Sequence, residues 1–426
     1  MKKVLSILVI LTVFLAIGCE DRSELTPPSP PSTGSVSFER FVTLGNSLTA
    51  GYQNGALYES AQMYSFGKLI ADQVGAAFEQ PLVADPGTGG RLELQGLTST
   101  GIQIYVNPNQ GQPKNYNLNR PYNNLAVPGA FLYDIANATS STTCYSYVFG
   151  GQANPLFDLV LRGQGSQLTQ AKALNPTLIT LWIGNNDILG HATSGGTVPY
   201  TPEANFAFLY NALATELANT GSKVVVANIP DVTAIPFFTT VGPTLYAQGI
   251  TAVWAVRGVG DTVPVNVLTN YLTLRASDLL AQGKGMSEKN PLPNSVVLDS
   301  IEAANVKNVI SNYNATIASV AAAKGFGLVD ANALLNRART GITENGIRFT
   351  TQYVTGGLFS LDGVHPTNRG YAIVANEFIK VINQKWGASI PLINVSTIPG
   401  SIILPKGYNQ LGLPVLPAGA LDNLLF

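Results

Sequence analysis

Apolar residues fall along this chain in two alternating rhythms. Four short, mostly apolar runs, at 41–44, 178–183, 223–229 and 326–329, have the length and density of strands buried on both faces. Between them the spacing changes to that of helices with one apolar stripe. The first such stretch, 61–74, carries Met63, Phe66, Leu69, Ile70 and Val74. A second spans 156–174, with Gly163 and Gly165 weakening its middle and Asn175-Pro176 breaking it. A third opens at Thr201-Pro202-Glu203, where a capping hydroxyl, a proline at the first helical position and an early acid mark a start; Phe206, Leu209, Leu213 and Leu217 form its stripe. A fourth, 301–324, has the stripe Val306, Val309, Tyr313, Ile317 and Val320 and ends against Gly325. The last follows Pro366, is capped by Thr367, and buries Tyr371, Val374, Phe378 and Val381. Strands alternating with helices predict an α/β fold with a mostly parallel sheet covered on both faces.

Three stretches leave this rhythm. Residues 80–123 are rich in Gly, Asn, Pro and Tyr, with alternation around Ile102–Val106, and read as a loop insertion holding one hairpin. A second insertion covers 232–294, and within it residues 232–274 hold only two charges, Arg257 and Asp261. The tail, 389–426, has Pro391, Pro399, Pro405, Pro414 and Pro417 between short apolar pieces, with Lys406 and Asp422 its only charges. Both apolar stretches read as added core cover, with a lid or groove for acyl chains as the functional alternative.

The amino end is an address. Lys2 and Lys3 precede a mostly apolar run at 4–15, too short for a stable membrane span and right for a signal-peptide core. Ala16-Ile17-Gly18-Cys19 resembles the lipobox of bacterial lipoproteins, which implies cleavage before Cys19 and lipidation of that cysteine. The expected organisation is a signal peptide at 1–18, a Pro-rich tether at 19–37, a catalytic domain at 38–388 and the tail. The expected location is the bacterial cell envelope, anchored at the periplasmic face, the outer membrane or the cell surface. With Cys19 lipidated, Cys144 remains as a lone, buried thiol.

Composition narrows the chemistry. The chain has 426 residues, 46% hydrophobic and 12% charged, and a formal net charge of -1, which gives no electrostatic reason to expect nucleic acid. Two cysteines and two histidines make a His/Cys zinc site improbable, so neither metal nor cofactor is expected. Any histidine-dependent mechanism must use His191 or His365. His191 sits in a Gly/Ser/Thr stretch and reads as a surface residue.

Four short stretches then line up: Gly45-Asn46-Ser47-Leu48, Asn124 with Gly129, Gly184 with Asn186-Asp187, and Asp362 with His365-Pro366. Each alone has an ordinary reading as a cap or a turn. Together, in this order and near strand ends, they resemble the motif blocks of the SGNH/GDSL hydrolase family across residues 38–387. The resemblance implies a three-layer α/β/α, flavodoxin-like sandwich with insertions. Asn46 stands where the family usually has aspartate, and Ala126 where it often has glycine. Thr49 breaks the G-x-S-x-G elbow of α/β-hydrolases.

Acyl transfer needs a nucleophile, a base, a group that orients the base, and donors for the oxyanion. Ser47 is the candidate nucleophile, His365 the base and Asp362 its orienting acid. By resemblance the oxyanion donors are the backbone N–H groups of Ser47 and Gly129 and the side-chain amide of Asn186. The expected reaction is hydrolysis of a carboxylic ester through an acyl-enzyme on Ser47. A cell-envelope carbohydrate O-deacetylase or acyltransferase, and a non-catalytic acyl-binding lipoprotein, are the alternatives. Because the triad acid is Asp362, the amide at Asn46 is expected to leave activity intact.

Overall fold

The four apolar runs become one parallel sheet in a computed structural model of the protein, which describes residues 31–98, 101–257, 260–400, 412–422, 424 and 425. The signal segment, Cys19 and most of the tether lie outside the described residues. In chain order the elements that place the site are β1 (Phe41–Gly45), α1 (Ser47–Ala50) and α2 (Phe66–Gln73). The antiparallel hairpin β2 (Arg91–Thr98) and β3 (Gly101–Asn107) follows. Then come α3 (Leu156–Leu161), α4 (Gln167–Ala173), β4 (Leu178–Trp182), α5 (Asn186–Thr193), α6 (Glu203–Ala218) and β5 (Lys223–Ala227). A second hairpin, β6 (Ala252–Arg257) and β7 (Asp261–Asn266), precedes α7 (Ser300–Lys324), β8 (Gly327–Val329) and α8 (Ala331–Thr340). A small hairpin, β9 (Ile342–Glu344) and β10 (Ile347–Phe349), leads to α9 (Asn368–Trp386).

The sheet runs β1-β4-β5-β8, every pair parallel. On the free side of β1 the segment around Asn124 adds one more parallel row: Thr43 N–H donates to Asn123 O, and Leu125 N–H to Thr43 O. Counting that row as second in chain order gives 2-1-3-4-5, the flavodoxin-like order, with its switch point between β1 and β4. The register sets Gly45 opposite Trp182, so the chain leaves both strands at the same level of the sheet. Ser47 and Asn186 follow those two exits, at the carboxyl edge where such sheets bind ligands.

Alternation explains why the strands read as continuous apolar runs. Phe41, Leu178, Trp182, Val225 and Ala227 pack on one face with Phe66 of α2 and Tyr371 and Phe378 of α9. Val42, Leu44, Ile179, Leu181, Val224 and Val226 pack on the other with α4, α6 and α7. A strand buried on both sides has no polar face to show. On the first face Phe66 stacks on Phe378 at 4.6 Å and meets Trp182 edge-on at 6.1 Å. The result is a three-layer α/β/α sandwich.

Several sequence expectations are revised. The stretch 156–174 is two helices, because Arg162, Gly163 and Gly165 all take positive φ between α3 and α4. The stretch 61–74 is a short turn of helix at Glu59–Gln62 followed by α2, which begins where the Ser65 side chain accepts from Lys68 N–H. Thr201 does not cap α6, whose N-cap is Pro202; its hydroxyl donates instead to Asp187 Oδ1 at 2.8 Å. Leu209 and Val381 are only half-buried. The insertion around 232–274 is core cover, with Phe237, Phe238, Val253, Ala255 and Val265 buried. Its residues Val232 and Ile235 also reach the site. No helix among the described residues is long and apolar enough to cross a membrane.

Candidate active site

The Gly45–Ser47 turn is held by side chains that imitate backbone. Gln167 of α4 closes a two-bond ring on Gly45: Gly45 N–H donates to its Oε1 and its Nε2 donates to Gly45 O, both at 3.1 Å. Gly45 has φ +154, and a Cβ there would collide with the Trp182 carbonyl and the Thr49 hydroxyl, so the chain turns this tightly only with glycine. Asn46 then caps α1, its Oδ1 accepting from Leu48 N–H at 3.1 Å, while its Nδ2 donates to Asn185 Oδ1 at 3.4 Å. Here the amide caps with its oxygen and donates with its nitrogen. Ser47 is thereby the first residue of a helical turn and 2% exposed.

Asp362 is the most heavily bonded side chain at the site. Its Oδ1 accepts from the N–H groups of Val364 (2.9 Å) and His365 (2.8 Å). Its Oδ2 accepts from Gly55 N–H and from His365 Nδ1, each at 3.0 Å. Burial alone would raise this carboxyl; the adjacent His365 and these donors outweigh it and hold Asp362 below the usual carboxylate range. Nδ1 facing a carboxylate fixes the tautomer with the proton on Nδ1 and the lone pair on Nε2. That Nε2 is buried and has no partner among the described residues, and His365 lines one cleft with Ser47. Such an atom is suited to taking a proton.

Of the donors expected around the oxyanion, Ser47 and Asn186 line the same cleft as His365. Among the described residues no acceptor meets the N–H of Ser47 or of Gly129. Asn186 donates one amide proton to Ala130 O at 2.8 Å, which ties β4's exit to the Gly129 segment and leaves the second proton available. Asp187 braces the same junction, accepting from Leu132 N–H (2.9 Å) and from Thr201. Burial raises Asp187 to about 6, against the lowering effect of those donors. Asp134, accepting from the N–H groups of Phe131 and Tyr145, is raised by burial to about 7. Asn124 is structural: its amide donates to Thr49 O at 2.9 Å and pins α1 to the neighbouring row. His191 lies elsewhere, Nδ1 against Val198 O and the ring against Tyr200. Cys144 is free and buried.

Ser47, Asn186 and His365 line one cleft, whose empty space counted out into the solvent at its mouth is about 840 Å³. Asn46 and Asn185 are its other polar side chains; the remaining lining is apolar or glycine and carries no charge. Its apolar walls include Leu334, Leu335 and Ala338 of α8, Ile342 of β9, and Ile373 and Val374 of α9. Sequence reading missed α8, although Ala331, Leu334, Leu335 and Ala338 fall at helical spacing and signalled it. It also missed Gln167 and Tyr52, and took Tyr371 only as one of a buried helical stripe. Tyr52 packs edge-on to His365 at 4.8 Å, and Tyr371 donates to Tyr52 O at 2.8 Å. Nothing local marks such residues, because their partners lie hundreds of positions away.

Residues 41–378 match the sequence model of the GDSL-like lipase/acylhydrolase family. Among solved structures, the chain is similar to LAE5, an α/β hydrolase from the metagenome of Lake Arreo, Spain. There the identity is 11%, with 82% of this chain and 96% of that one covered and a TM-score of 0.37. It is also similar to Axe2, an acetylxylan esterase from Geobacillus stearothermophilus, at 12% identity, with 82% and 97% covered and a TM-score of 0.37. Among curated proteins none matches. On the strength of the match across 41–378, this chain belongs to the GDSL-like lipase/acylhydrolase family and is an ester-hydrolysing enzyme.

Proposed function

We propose that the protein is a serine esterase for carboxylic esters with apolar acyl groups. The observation that carries the substrate class is the cleft: every polar side chain in it belongs to the motif stretches, and the rest offers only hydrocarbon contact. Burying an acyl chain there gains about 0.8 kcal/mol per methylene, and no charged residue lines it to hold a sugar or an acidic group.

In this reading Ser47 Oγ attacks the ester carbonyl while His365 Nε2 takes its proton. Asp362 keeps the imidazole oriented and stabilises its cationic form. The oxyanion lies between the N–H groups of Ser47 and Gly129 and the Asn186 amide. The imidazolium then passes its proton to the leaving alkoxide, freeing the alcohol. Water, deprotonated by the same Nε2, cleaves the acyl-enzyme to the carboxylic acid and restores Ser47. The residues named need no metal or cofactor for these steps. Attachment through a lipidated Cys19 would hold the enzyme on a bacterial membrane face, and Cys19→Ser, by releasing it to the soluble fraction, tests that part.

A chromogenic ester series from acetyl to palmitoyl tests the substrate class. Activity should rise with chain length beyond acetyl and vanish in Ser47→Ala. Activity confined to acetyl esters would point to a deacetylase instead, and none at all to a binding protein.

A further inference from the structure

The tail reaches Gly55 and Gly129, neither of which lines the apolar cleft. Val415 lies parallel to β3: its N–H donates to Ile102 O at 2.8 Å, and Ile104 N–H donates to Val415 O at 3.1 Å. The Arg275 guanidinium then donates to Leu421 O at 3.0 and 3.2 Å, and Leu416, Leu421 and Leu424 are buried in the main core. The path is therefore docked by hydrogen bonds at two separate places and by apolar burial. It delivers Leu424 and Leu425 to the residues that brace the triad. Leu424 Cδ2 is 3.1 Å from where a Cβ on Gly55 would stand, and Gly55 N–H is a donor to Asp362. Leu425 Cβ and Cδ2 are both 3.7 Å from the corresponding point on Gly129, and the Tyr52 hydroxyl donates to the carbonyl of Gly55, the residue Leu424 touches.

A tetrahedral intermediate on Ser47 carries three further groups: the oxyanion, the acyl chain and the alkoxy group. The oxyanion needs the N–H donors, and the acyl chain takes the apolar cleft. The alkoxy oxygen must receive its proton from His365 Nε2, so the alcohol portion lies beside the imidazole. Tyr52 covers one edge of that ring, and neither Tyr52, Gly55, Gly129 nor Leu425 lines the acyl cleft. We infer that the docked tail forms the wall of the alcohol subsite, and that Leu425 is a specificity-determining residue that limits the size of the leaving alcohol. This rests on the esterase reading of the Ser47 site.

The test compares methyl, butyl and 2-naphthyl octanoate at fixed acyl chain in the full-length protein. Leu425→Ala should raise the naphthyl-to-methyl ratio of kcat/KM about tenfold or more, the scale on which apolar pockets discriminate by size. Val415→Pro, which removes the N–H donated to Ile102 and loosens the docked strand, should move the ratio the same way. The octanoate-to-butyrate ratio for methyl esters should not shift in either variant. An unchanged alcohol ratio in both variants, or a shift in the acyl ratio instead, overturns the inference while leaving the esterase reading intact. Absence of hydrolysis by the wild type and both variants overturns the esterase reading, and the inference with it.

Discussion

Two walls meet at Ser47, and they are built by different physics. The motif wall is hydrogen-bonded to saturation: Asp362 accepts four donors, Gly45 is ringed by Gln167, and Asn186 and Asp187 lock onto 130–132. The apolar wall, from Leu334, Leu335, Ala338, Ile342 and Ile373 and proposed as the acyl wall, has only van der Waals contact to offer. Buried hydrogen bonds are directional and costly to leave unmade, so they fix atoms to within fractions of an ångström. Apolar packing is non-directional and responds gradually to volume. Chemistry needs the first property, and a substrate class of variable chain length needs the second. Substitutions in the motif wall should therefore act as switches, and those in the acyl wall as adjustments.

The largest expected effect is at the nucleophile and base. Ser47→Ala or His365→Ala should each lower kcat by about 10⁴-fold or more, with the double variant little worse than either single one, because the two act as a unit. Additive losses measured by steady-state kinetics would break the comparison. Asn186→Ala should cost about 100- to 1000-fold in kcat with little change in KM, the signature of a donor used in the transition state. An effect on KM alone would place the amide outside the oxyanion site.

Stability against pH divides the motif wall itself. Burial raises Asp134 to about 7 and Asp187 to about 6 from an ordinary value of 3.8, so the folded state favours their protonated forms. Their contribution is full below about pH 4 and is lost as pH rises through 6 to 7. Asp362 has the opposite sign: its folded value is depressed, so its contribution is present above the ordinary range and lost on acidification. Urea titrations from pH 4 to 8 should show a decline that Asp134→Asn flattens; an unchanged slope in that variant would contradict the assignment.

Smaller effects are expected in the acyl wall. Leu334→Trp, which fills the cleft from α8, should lower kcat/KM for octanoyl relative to acetyl esters about tenfold while folding normally. Equal losses on both esters would mean that the chain does not enter there. Smallest of all should be Asn46→Asp. Asparagine and aspartate cap helices about equally well, so kcat is expected to change by less than about threefold. If aspartate at 46 were needed for measurable hydrolysis, the structural reading of Asn46 would fail.

How much of this was legible in sequence follows the same division. Strands buried on both faces leave continuous apolar runs, so β1, β4, β5 and β8 stood out, and short motifs marked Ser47 and Asn186 at strand exits and His365 just ahead of α9. Helix spacing exposed α7 and α9. What stayed hidden depended on distant partners. Thr201 looked like a cap because its neighbours fit one, yet its hydroxyl serves Asp187 across the fold. Gln167 looked like any polar helix residue, though it holds Gly45 from 122 positions away. The tail looked like proline-broken cover, and only its pairing with β3 brings Leu425 beside Gly129.

The central claim is that Ser47 carries the acyl group during turnover. Mass spectrometry of the full-length protein, quenched in acid during hydrolysis of 4-nitrophenyl octanoate, tests it most directly. The account predicts an octanoyl adduct on the peptide containing Ser47, absent in Ser47→Ala and accumulating in His365→Ala only if that variant acylates at all. Turnover with no adduct at Ser47, or with the adduct on another residue, would contradict it.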